Sequence, residues 1–203
     1  RNIDSIRVAN KTTLRLDETT VEFGLSAYRR HVKHPIFQWL DLTVKERVNC
    51  LGSVPTVFQM QLALPNFDTY DLSGIELILW EGAAMPVEVI QRLREICPRL
   101  ATNYGMTETT SAITIVTPTD DLDILANTVG VAFDGVEIRL MGDDGVVVPP
   151  GHAGEVQTRS IYNLLGYWRR PEATAQAFTA DGWFRTGDVA EQRADGRYRL
   201  VGR

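Results

Sequence analysis

The sequence predicts an α/β fold, in which a layered part with alternating strands and helices precedes a small antiparallel part that resembles a β-barrel. Apolar residues recur with helical and strand spacing in turn between residues 37 and 103. After about residue 118, short alternating strands are separated by turns rich in Gly and Pro. The chain has 203 residues, of which 44% are hydrophobic and 23% charged, so it can bury a core. This composition excludes a disordered chain and a coiled coil.

Residues 1–35 predict a small N-terminal remnant made of a hairpin and a helix. Apolar and polar residues alternate over 14–16 and again over 21–23, with turn-like residues between them, which indicates a β-hairpin. Residues 25–32 then predict the beginning of a helix.

Residues 36–120 predict the layered α/β part. Leu40, Val44 and Val48 recur at the spacing of one helix face, and Pro86 begins a later helix at its first position. Apolar runs between the helices indicate buried strands of a largely parallel sheet. The predicted order is helix 37–48, strand 50–51, helix 55–64, strand 75–80, helix 86–96 and strand 100–103.

Residues 121–203 predict the antiparallel part, and the boundary between the two parts is expected near 118–127. Alternating residues, separated by Gly and Pro turns, indicate short strands, and Pro171 begins the single helix among them. The predicted elements are strands 136–140, 146–148, 155–159, 189–193 and 198–201, with the helix at 171–178.

Charge and composition exclude several classes of function. The net charge of −5 gives no electrostatic basis for binding nucleic acid or an anionic membrane. No apolar run of ~18 residues and no signal peptide is visible, so we expect a cytoplasmic protein without a membrane span. Cys50 and Cys97 predict buried thiols in a reducing compartment. The three histidines lack partners at metal-ligand spacing.

The segment 103–111 carries the densest set of polar groups, directly after a predicted buried strand. Ligands of open α/β sheets bind outside the carboxyl ends of the strands. The hydroxyls of the segment can donate to phosphate, its carboxylate, Glu108, can hold Mg²⁺, and its aromatic ring, Tyr104, can stack on a base. A hydroxyl-rich turn with Glu108 capping a helix is the alternative interpretation.

Two further segments have both a functional and a structural interpretation. Glu81 is followed by three small residues, Gly82, Ala83 and Ala84, which allow a ligand to approach the backbone or simply form a strand-to-helix turn. Asp188 ends the segment 181–188, where a carboxylate after a tight turn could accept hydrogen bonds from a ribose diol. An ordinary hairpin loop would also suit that segment.

Taken together, these segments resemble the adenylate-forming superfamily, specifically the acyl-CoA synthetases or AMP-forming acid:CoA ligases. The resemblance rests on Tyr-Gly-Met-Thr-Glu at 104–108, Glu-Gly-Ala-Ala-Met-Pro at 81–86 and Leu-Gly-Tyr-Trp-Arg-Arg-Pro-Glu-Ala-Thr at 165–174. It continues with Gly-Trp-Phe-Arg-Thr-Gly-Asp at 182–188 and Leu-Val-Gly-Arg at 200–203, so that it covers residues 40–203. It implies part of the N-terminal domain of such an enzyme.

The resemblance implies roles for individual residues in binding the nucleotide. Residues 82–84 and the ring of Tyr104 would form the adenine pocket, whereas Asp188 and Arg203 would contact the ribose hydroxyls. Thr107 would touch the phosphate.

The same resemblance implies a metal ligand and a boundary for the acid substrate. Glu108 would help to hold Mg²⁺. Gly105 and Glu81 would border the carboxylic acid, although the family more often has glycine at the position of Glu81. The implied reactants are ATP, a fatty or related carboxylic acid, and CoA, which give an acyl-adenylate, then an acyl-CoA and AMP.

Two catalytic parts of the family are not found in this sequence. The family's phosphate loop, rich in Ser, Thr and Gly and ending near a lysine, has no counterpart, and no lysine follows Lys45, so the lysine of the C-terminal lid is also missing. We therefore expect an incomplete copy that is inactive alone, with a seam between His31 and Ile36. The alternative is a non-catalytic fragment or pseudo-enzyme that binds a nucleotide or a partner. Unpaired sheet edges would also allow a homo-oligomer.

Overall fold

The computed structural model describes residues 6–8, 12–16, 19–21 and 35–203, with side chains from Trp39 onward. The chain divides into two compact units, residues 1–46 and 47–203. The predicted divisions at 35/36 and 120/121 stay predictions. Across the described ranges, no helix has the length and apolar character needed to cross a membrane.

The described residues of the first unit form a three-stranded antiparallel sheet and one helix. Its strands β1 (Ile6–Val8), β2 (Thr12–Leu16) and β3 (Thr19–Val21) pair in chain order, and the helix α1 spans Pro35–Lys45. The pairing of β2 with β3 matches the predicted hairpin, whereas β1 was not predicted. The predicted helix over 25–32 and most of the suspected seam at 31–36 lie outside the described residues.

A five-stranded mixed sheet forms the first layer of the second unit. Its strands lie in chain order: β4 (Cys50–Ser53), β5 (Leu77–Trp80), β6 (Leu100–Gly105), β7 (Ala112–Thr119) and β8 (Val131–Ala132). The first three strands are parallel, as predicted, and β7 and β8 join antiparallel. Neither β7 nor β8 was predicted, because the Thr-rich sequence of β7 lacks a continuous apolar run.

Three helices accompany this sheet: α2 (Pro55–Leu62), α3 (Val87–Ile96) and α4 (Leu122–Asn127). Ile90 and Leu93 bury the apolar face of α3, which begins one residue later than predicted because Pro86 is its N-cap. The helix α4 was not predicted. Asp121 caps it by accepting hydrogen bonds from the backbone N–H groups of Asp123 and Ile124.

The antiparallel part is an open four-stranded sheet rather than a closed barrel. Its strands are β9 (Glu137–Met141), β10 (Ala153–Arg159), β11 (Phe184–Gln192) and β12 (Tyr198–Gly202), in the order β12-β11-β10-β9, and the helix α5 spans Pro171–Ala177. The predicted strand 146–148 was wrong. Val146 and Val147 are exposed, and only Val147 bridges to Met141.

The two sheets of the second unit share one apolar core. Tyr104 and Ile113 of the first sheet pack in the same buried cluster as Leu140, Val156 and Ala190 of the second. The backbone N–H of Val129 donates to the carbonyl of Tyr198 at 2.8 Å, and the N–H of Tyr198 donates to the carbonyl of Gly130 at 2.8 Å. The two hydrogen bonds fix the residues just before β8 against β12, and the shared cluster packs Tyr104, near the carboxyl end of β6, with Ala190 of β11.

The two cysteines differ in exposure. Cys97 is buried, as predicted, but the prediction of a buried Cys50 was wrong. Cys50 begins β4, on which its side chain is exposed whereas that of the next residue, Leu51, is buried.

Candidate functional site

A cavity of about 540 Å³ lies at the carboxyl ends of β5 and β6. Residues 82–85 and 102–106 form one wall, residues 125–129 a second, and the ends of β11 and β12 a third. Its volume lies within the range of small-molecule sites, about 300–1,000 Å³. Its position outside the ends of parallel strands is the one where α/β sheets bind ligands.

Eight of the ten predicted site residues line this cavity, and two do not. Those that line it are Gly82, Ala83, Ala84, Tyr104, Gly105, Glu108, Asp188 and Arg203. Glu81 and Thr107 are both exposed and stand outside the lining. The structure therefore brings together three segments that are up to 121 positions apart, from Gly82 to Arg203.

The carboxylate of Asp188 is held between the two sheets. The phenol of Tyr104 donates to its Oδ2 at 2.8 Å, and Nε of Arg203 lies 3.4 Å from its Oδ1. The backbone N–H of Asp188 donates to Oγ1 of Thr186, whose hydroxyl donates to the carbonyl of Val156 at 2.8 Å. Asp188 thus presents both carboxylate oxygens to hydrogen-bond donors at the cavity wall.

Burial makes the phenol of Tyr104 a poor acid. Burial raises the pKa of Tyr104 well above its ordinary value, and the hydrogen bond to the Asp188 carboxylate raises it further. Because the phenol stays protonated across the physiological range, it remains a hydrogen-bond donor to Asp188.

A tyrosine that sequence reasoning did not assign to the site contacts Glu108. The phenol of Tyr167 donates to Oε1 of Glu108 at 3.1 Å, and both residues line the cavity. Burial raises the pKa of Tyr167, as does its hydrogen bond to Glu108. The signal for Tyr167 was its place in the segment 165–174, on which the resemblance partly rests.

Two hydroxyl side chains of this segment stabilise local backbone structure. Oγ1 of Thr109 accepts from the N–H of Met106 and donates to backbone carbonyls, which caps the 3-10 turn Thr107–Thr109. Thr110 has a φ of 67°, unusual for a residue with a side chain, and its hydroxyl donates to the carbonyl of Tyr162 at 2.6 Å. The alternative interpretation therefore holds for Thr109 and Thr110, although Thr109 rather than Glu108 supplies the cap.

Two glycines shape the cavity wall. A Cβ at Gly105 would overlap the backbone of Ser111 and Ala112, so β6 and β7 can pass this closely only with glycine there. Gly82 has a φ of 84°, a left-handed conformation that favours glycine. The close approach at Gly105 gives that residue a structural reason independent of any substrate.

Arginines supply the positive charge at the cavity. Arg185 and Arg199 line it together with Arg203, and neither was predicted as a site residue. Arg185 pairs with Glu155 at 3.7 Å and Arg199 with Glu191 at 2.9 Å. Arg185 lies between the buried Phe184 and Thr186 on β11, which is the pattern of any exposed strand face. Arg199 lies next to the exposed Leu200 on β12. The sequence therefore held no specific signal for either arginine.

The side chains suit a nucleotide better than a protein-caged metal. The described part of the chain holds no group of three or more His, Cys, Asp or Glu side chains that could bind a metal ion. Mg²⁺, however, is usually held by one or two carboxylates together with water and substrate phosphates. Glu108, at the cavity and with Oε1 fixed by Tyr167, fits that donor set.

Comparison with known proteins establishes the family. The family model described as AMP-binding enzyme matches residues 25–168. The chain therefore belongs to the AMP-binding enzymes, that is, to the adenylate-forming superfamily that includes the acyl-CoA synthetases.

Two similar proteins are named as acid–CoA ligases or synthases. The chain is 34% identical over 164 residues to feruloyl-CoA synthase of an Amycolatopsis species, which covers 81% of this chain and 33% of that protein. It is 34% identical over 183 residues to indoleacetate–CoA ligase of Aromatoleum aromaticum, with coverages of 89% and 36%. The chain thus spans about a third of the length of these relatives.

Solved structures share the fold. The N-terminal domain of FACL13 from Mycobacterium tuberculosis has a TM-score of 0.72 at 30% identity, covering 91% of this chain and 43% of that one. The anthranilate CoA ligase AuaEII in complex with anthranoyl-AMP has a TM-score of 0.75 at 27% identity, with coverages of 92% and 34%. These neighbours confirm the predicted fold class, part of the N-terminal domain of an adenylate-forming enzyme.

Proposed function

We propose that this chain forms the nucleotide-facing part of an AMP-forming acid–CoA ligase. In that reaction a carboxylate oxygen attacks the α-phosphorus of ATP, and the bond to the bridging oxygen of pyrophosphate breaks. The CoA thiolate then attacks the acyl carbon of the adenylate, and AMP leaves. The observation that carries the proposal is the convergence of Tyr104, Glu108, Asp188 and Arg203 on one cavity in a chain of this family.

The proposed nucleotide contacts follow from what the cavity offers. The small residues 82–84 and the ring of Tyr104 leave room for a flat base beside the backbone. The two oxygens of Asp188, which now face Tyr104 and Arg203, can accept hydrogen bonds from the two hydroxyls of a ribose.

The residues proposed to contact the phosphates and the acid substrate are assigned from the family resemblance. When bound, Mg²⁺ neutralises charge on phosphate oxygens, and Glu108 is the residue proposed to hold it. Thr107 is proposed at the phosphate, and Gly105 and Glu81 at the acid, although Glu81 and Thr107 stand outside the cavity lining. The names of the relatives cover aromatic and aliphatic acids alike, so we propose a carboxylic acid without narrowing its class further. A cytoplasmic location also stays a prediction.

We further propose that the 203 residues bind nucleotide without catalysing adenylation on their own. Residues 46–203 contain no lysine, so arginine is the only permanently charged cation that this stretch can offer to the phosphates. The three arginines at the cavity, Arg185, Arg199 and Arg203, are each paired with a carboxylate, which reduces the positive charge that they offer to a phosphoryl centre. This supports a nucleotide-binding module as the function of the isolated chain.

Calorimetric titration of the chain with AMP tests the proposed nucleotide site. Asp188→Asn should weaken AMP binding by about 10- to 100-fold, since hydrogen bonds to a charged group contribute about 1.5–3 kcal/mol. Asp181→Asn is the matched control, because Asp181 also pairs with an arginine but lies outside the cavity lining. Equal AMP affinities of wild type and Asp188→Asn would contradict the proposed ribose site.

A pyrophosphate-release assay tests the proposed inactivity. The chain with ATP and a fatty or aryl acid should release no pyrophosphate. Release that Glu108→Ala abolishes would show that these residues suffice for adenylation and would overturn this part of the proposal.

A further inference from the structure

The segment 160–168 is fastened to the segment that carries Glu108 at three points. Thr110 Oγ1 donates to the carbonyl of Tyr162 at 2.6 Å, and the N–H of Leu164 donates to the carbonyl of Glu108 at 2.6 Å. The third contact is the hydrogen bond from the Tyr167 phenol to Oε1 of Glu108 at 3.1 Å. Two of the three bonds fix backbone or turn conformation, whereas only the third acts on the Glu108 carboxylate.

The backbone of Tyr167 is itself anchored to α5. Its N–H donates to Oγ1 of Thr174 at 2.9 Å, and its carbonyl accepts from the N–H of Arg170 at 3.1 Å. Gly166 permits this approach, because a Cβ there would lie 2.9 Å from Cγ2 of Thr174, and its φ of 154° is one that other residues rarely adopt. The phenol of Tyr167 therefore projects from a fixed point.

A glutamate side chain is otherwise free to adopt many rotamers. The 3-10 turn and Leu164 fix the main chain of Glu108, so the side-chain torsions are what remains to be ordered. Carboxylates that bind metal ions are commonly held by a hydrogen bond on one oxygen, which orients the other. Tyr167 makes such a bond to Oε1 at the wall of the cavity.

We propose that Tyr167 is a positioning residue, which holds Oε1 of Glu108 so that Oε2 is presented to a Mg²⁺ ion on the phosphates of a bound nucleotide. The inference rests on the proposed nucleotide site and goes beyond it in assigning Tyr167 a role. Tyr167 does not contact the metal ion in this arrangement. It lowers the entropic cost of ordering Glu108 when the ion binds.

Calorimetric titration with ATP, in Mg²⁺ and in EDTA, separates this role from a general effect on binding. The readout is the ratio of the ATP dissociation constant in EDTA to that in Mg²⁺. Tyr167→Phe should reduce this ratio by about 2- to 10-fold, the equivalent of one hydrogen bond. Tyr162→Phe is the matched control, because Tyr162 contacts Thr110 through its carbonyl and not through its phenol. It should leave the ratio at the wild-type value.

A double-mutant cycle links the effect to Glu108. Glu108→Gln should remove most of the Mg²⁺ enhancement, and adding Tyr167→Phe to it should reduce the ratio no further. Thr174→Val, which removes the anchor of the Tyr167 N–H, should lower the ratio in the same direction but by less. Far-ultraviolet circular dichroism and thermal midpoints confirm that each variant is folded.

The possible outcomes distinguish the inference from the proposed function. If Glu108→Gln removes the Mg²⁺ enhancement but Tyr167→Phe behaves as Tyr162→Phe does, the positioning role is overturned and the nucleotide site stands. The positioning role is also overturned, and the nucleotide site again stands, if Tyr167→Phe and Glu108→Gln act additively. The same two conclusions follow if the wild-type chain binds ATP equally with and without Mg²⁺. A wild-type chain that binds neither AMP nor ATP overturns the proposed function and this inference with it.

Discussion

At the scale of single residues, Gly105 shows how a motif position can be fixed by backbone packing. Its α-carbon faces the backbone of Ser111 and Ala112, where a side chain has no space. The family resemblance places this glycine beside the acid substrate, and the structure supplies a second reason for it. Both reasons predict intolerance to substitution, but only the structural one predicts loss of stability without any ligand.

We expect Gly105→Ala to lower the free energy of unfolding by about 2–3 kcal/mol, because the backbone of β7 must shift to admit the added methyl group. Gly74→Ala is the control, since a Cβ at Gly74 has nothing within 4 Å. Urea unfolding followed by tryptophan fluorescence measures both. Equal midpoints for the two variants would show that β6 and β7 separate at little cost.

Residues at the site were predictable where residues next to them in the sequence indicate a binding site. Tyr104 and Glu108 stood out because aromatic, acidic and glycine residues occur together after a predicted strand, and Asp188 because it is a carboxylate that follows a tight glycine turn. Tyr167 did not, since its contact with Glu108 joins residues 59 positions apart and depends on how the segment 160–168 folds back. Likewise, the sequence cannot show that Thr107 is exposed and stands outside the cavity lining.

At the scale of elements, a cluster of ion pairs around one aromatic ring joins the strands of the antiparallel sheet. The guanidinium groups of Arg139 on β9 and Arg159 on β10 lie 4.5 and 4.7 Å from the ring centre of Trp183, just before β11. Arg139 also pairs with Asp181 at 2.7 Å, and Arg159 with Glu137 at 2.7 Å. Each arginine is thereby held over the ring by a carboxylate.

This cluster of ion pairs predicts a pH dependence of stability. The hydrogen bond from the Arg139 guanidinium holds the pKa of Asp181 well below its ordinary value of 3.8. Because the pKa is lower in the folded chain, the stabilisation is present above about pH 4 and is lost as the pH falls below it. Asp181→Asn should lower the thermal midpoint at pH 7, and the difference from wild type should shrink towards pH 2.

Thermal unfolding from pH 7 to pH 2 measures this difference. Asp143→Asn, a change at an exposed turn residue, is the control for removing one negative charge. A difference between wild type and Asp181→Asn that stays constant over the whole range would contradict the assigned pairing.

Elements with a clear sequence pattern or end signal were predictable, and those without one were not. The helices α1 to α3 carry apolar residues at helical spacing, and short apolar segments indicate the parallel strands β4 to β6. The helix α5 buries no side chain and was predictable from Pro171 at its start. The strand β7 is stabilised by antiparallel pairing with β6 rather than by its own composition. The residues 146–148, in contrast, have the composition of a strand but find only one bridging partner.

At the scale of the whole molecule, we propose self-association through exposed apolar groups and sheet edges. Ile161, Leu165 and Trp168 are 89%, 102% and 85% exposed, and β4 has one hydrogen-bonded neighbour among the strands described. Such surfaces favour contacts between copies. We expect the average mass from light scattering to rise with protein concentration, and Leu165→Lys to reduce this rise. A monomer mass at every concentration would contradict the proposal.

The cavity also has a consequence for synthesis of the chain on the ribosome. Its last wall comes from residues 199–203, and Tyr198 is tied through its backbone to Val129 and Gly130, almost 70 positions earlier. A nascent chain that already holds the folded parallel sheet would still lack this wall, because β12 emerges after the other elements that line the cavity. The proposed nucleotide site would therefore be complete only after residue 203 has left the exit tunnel.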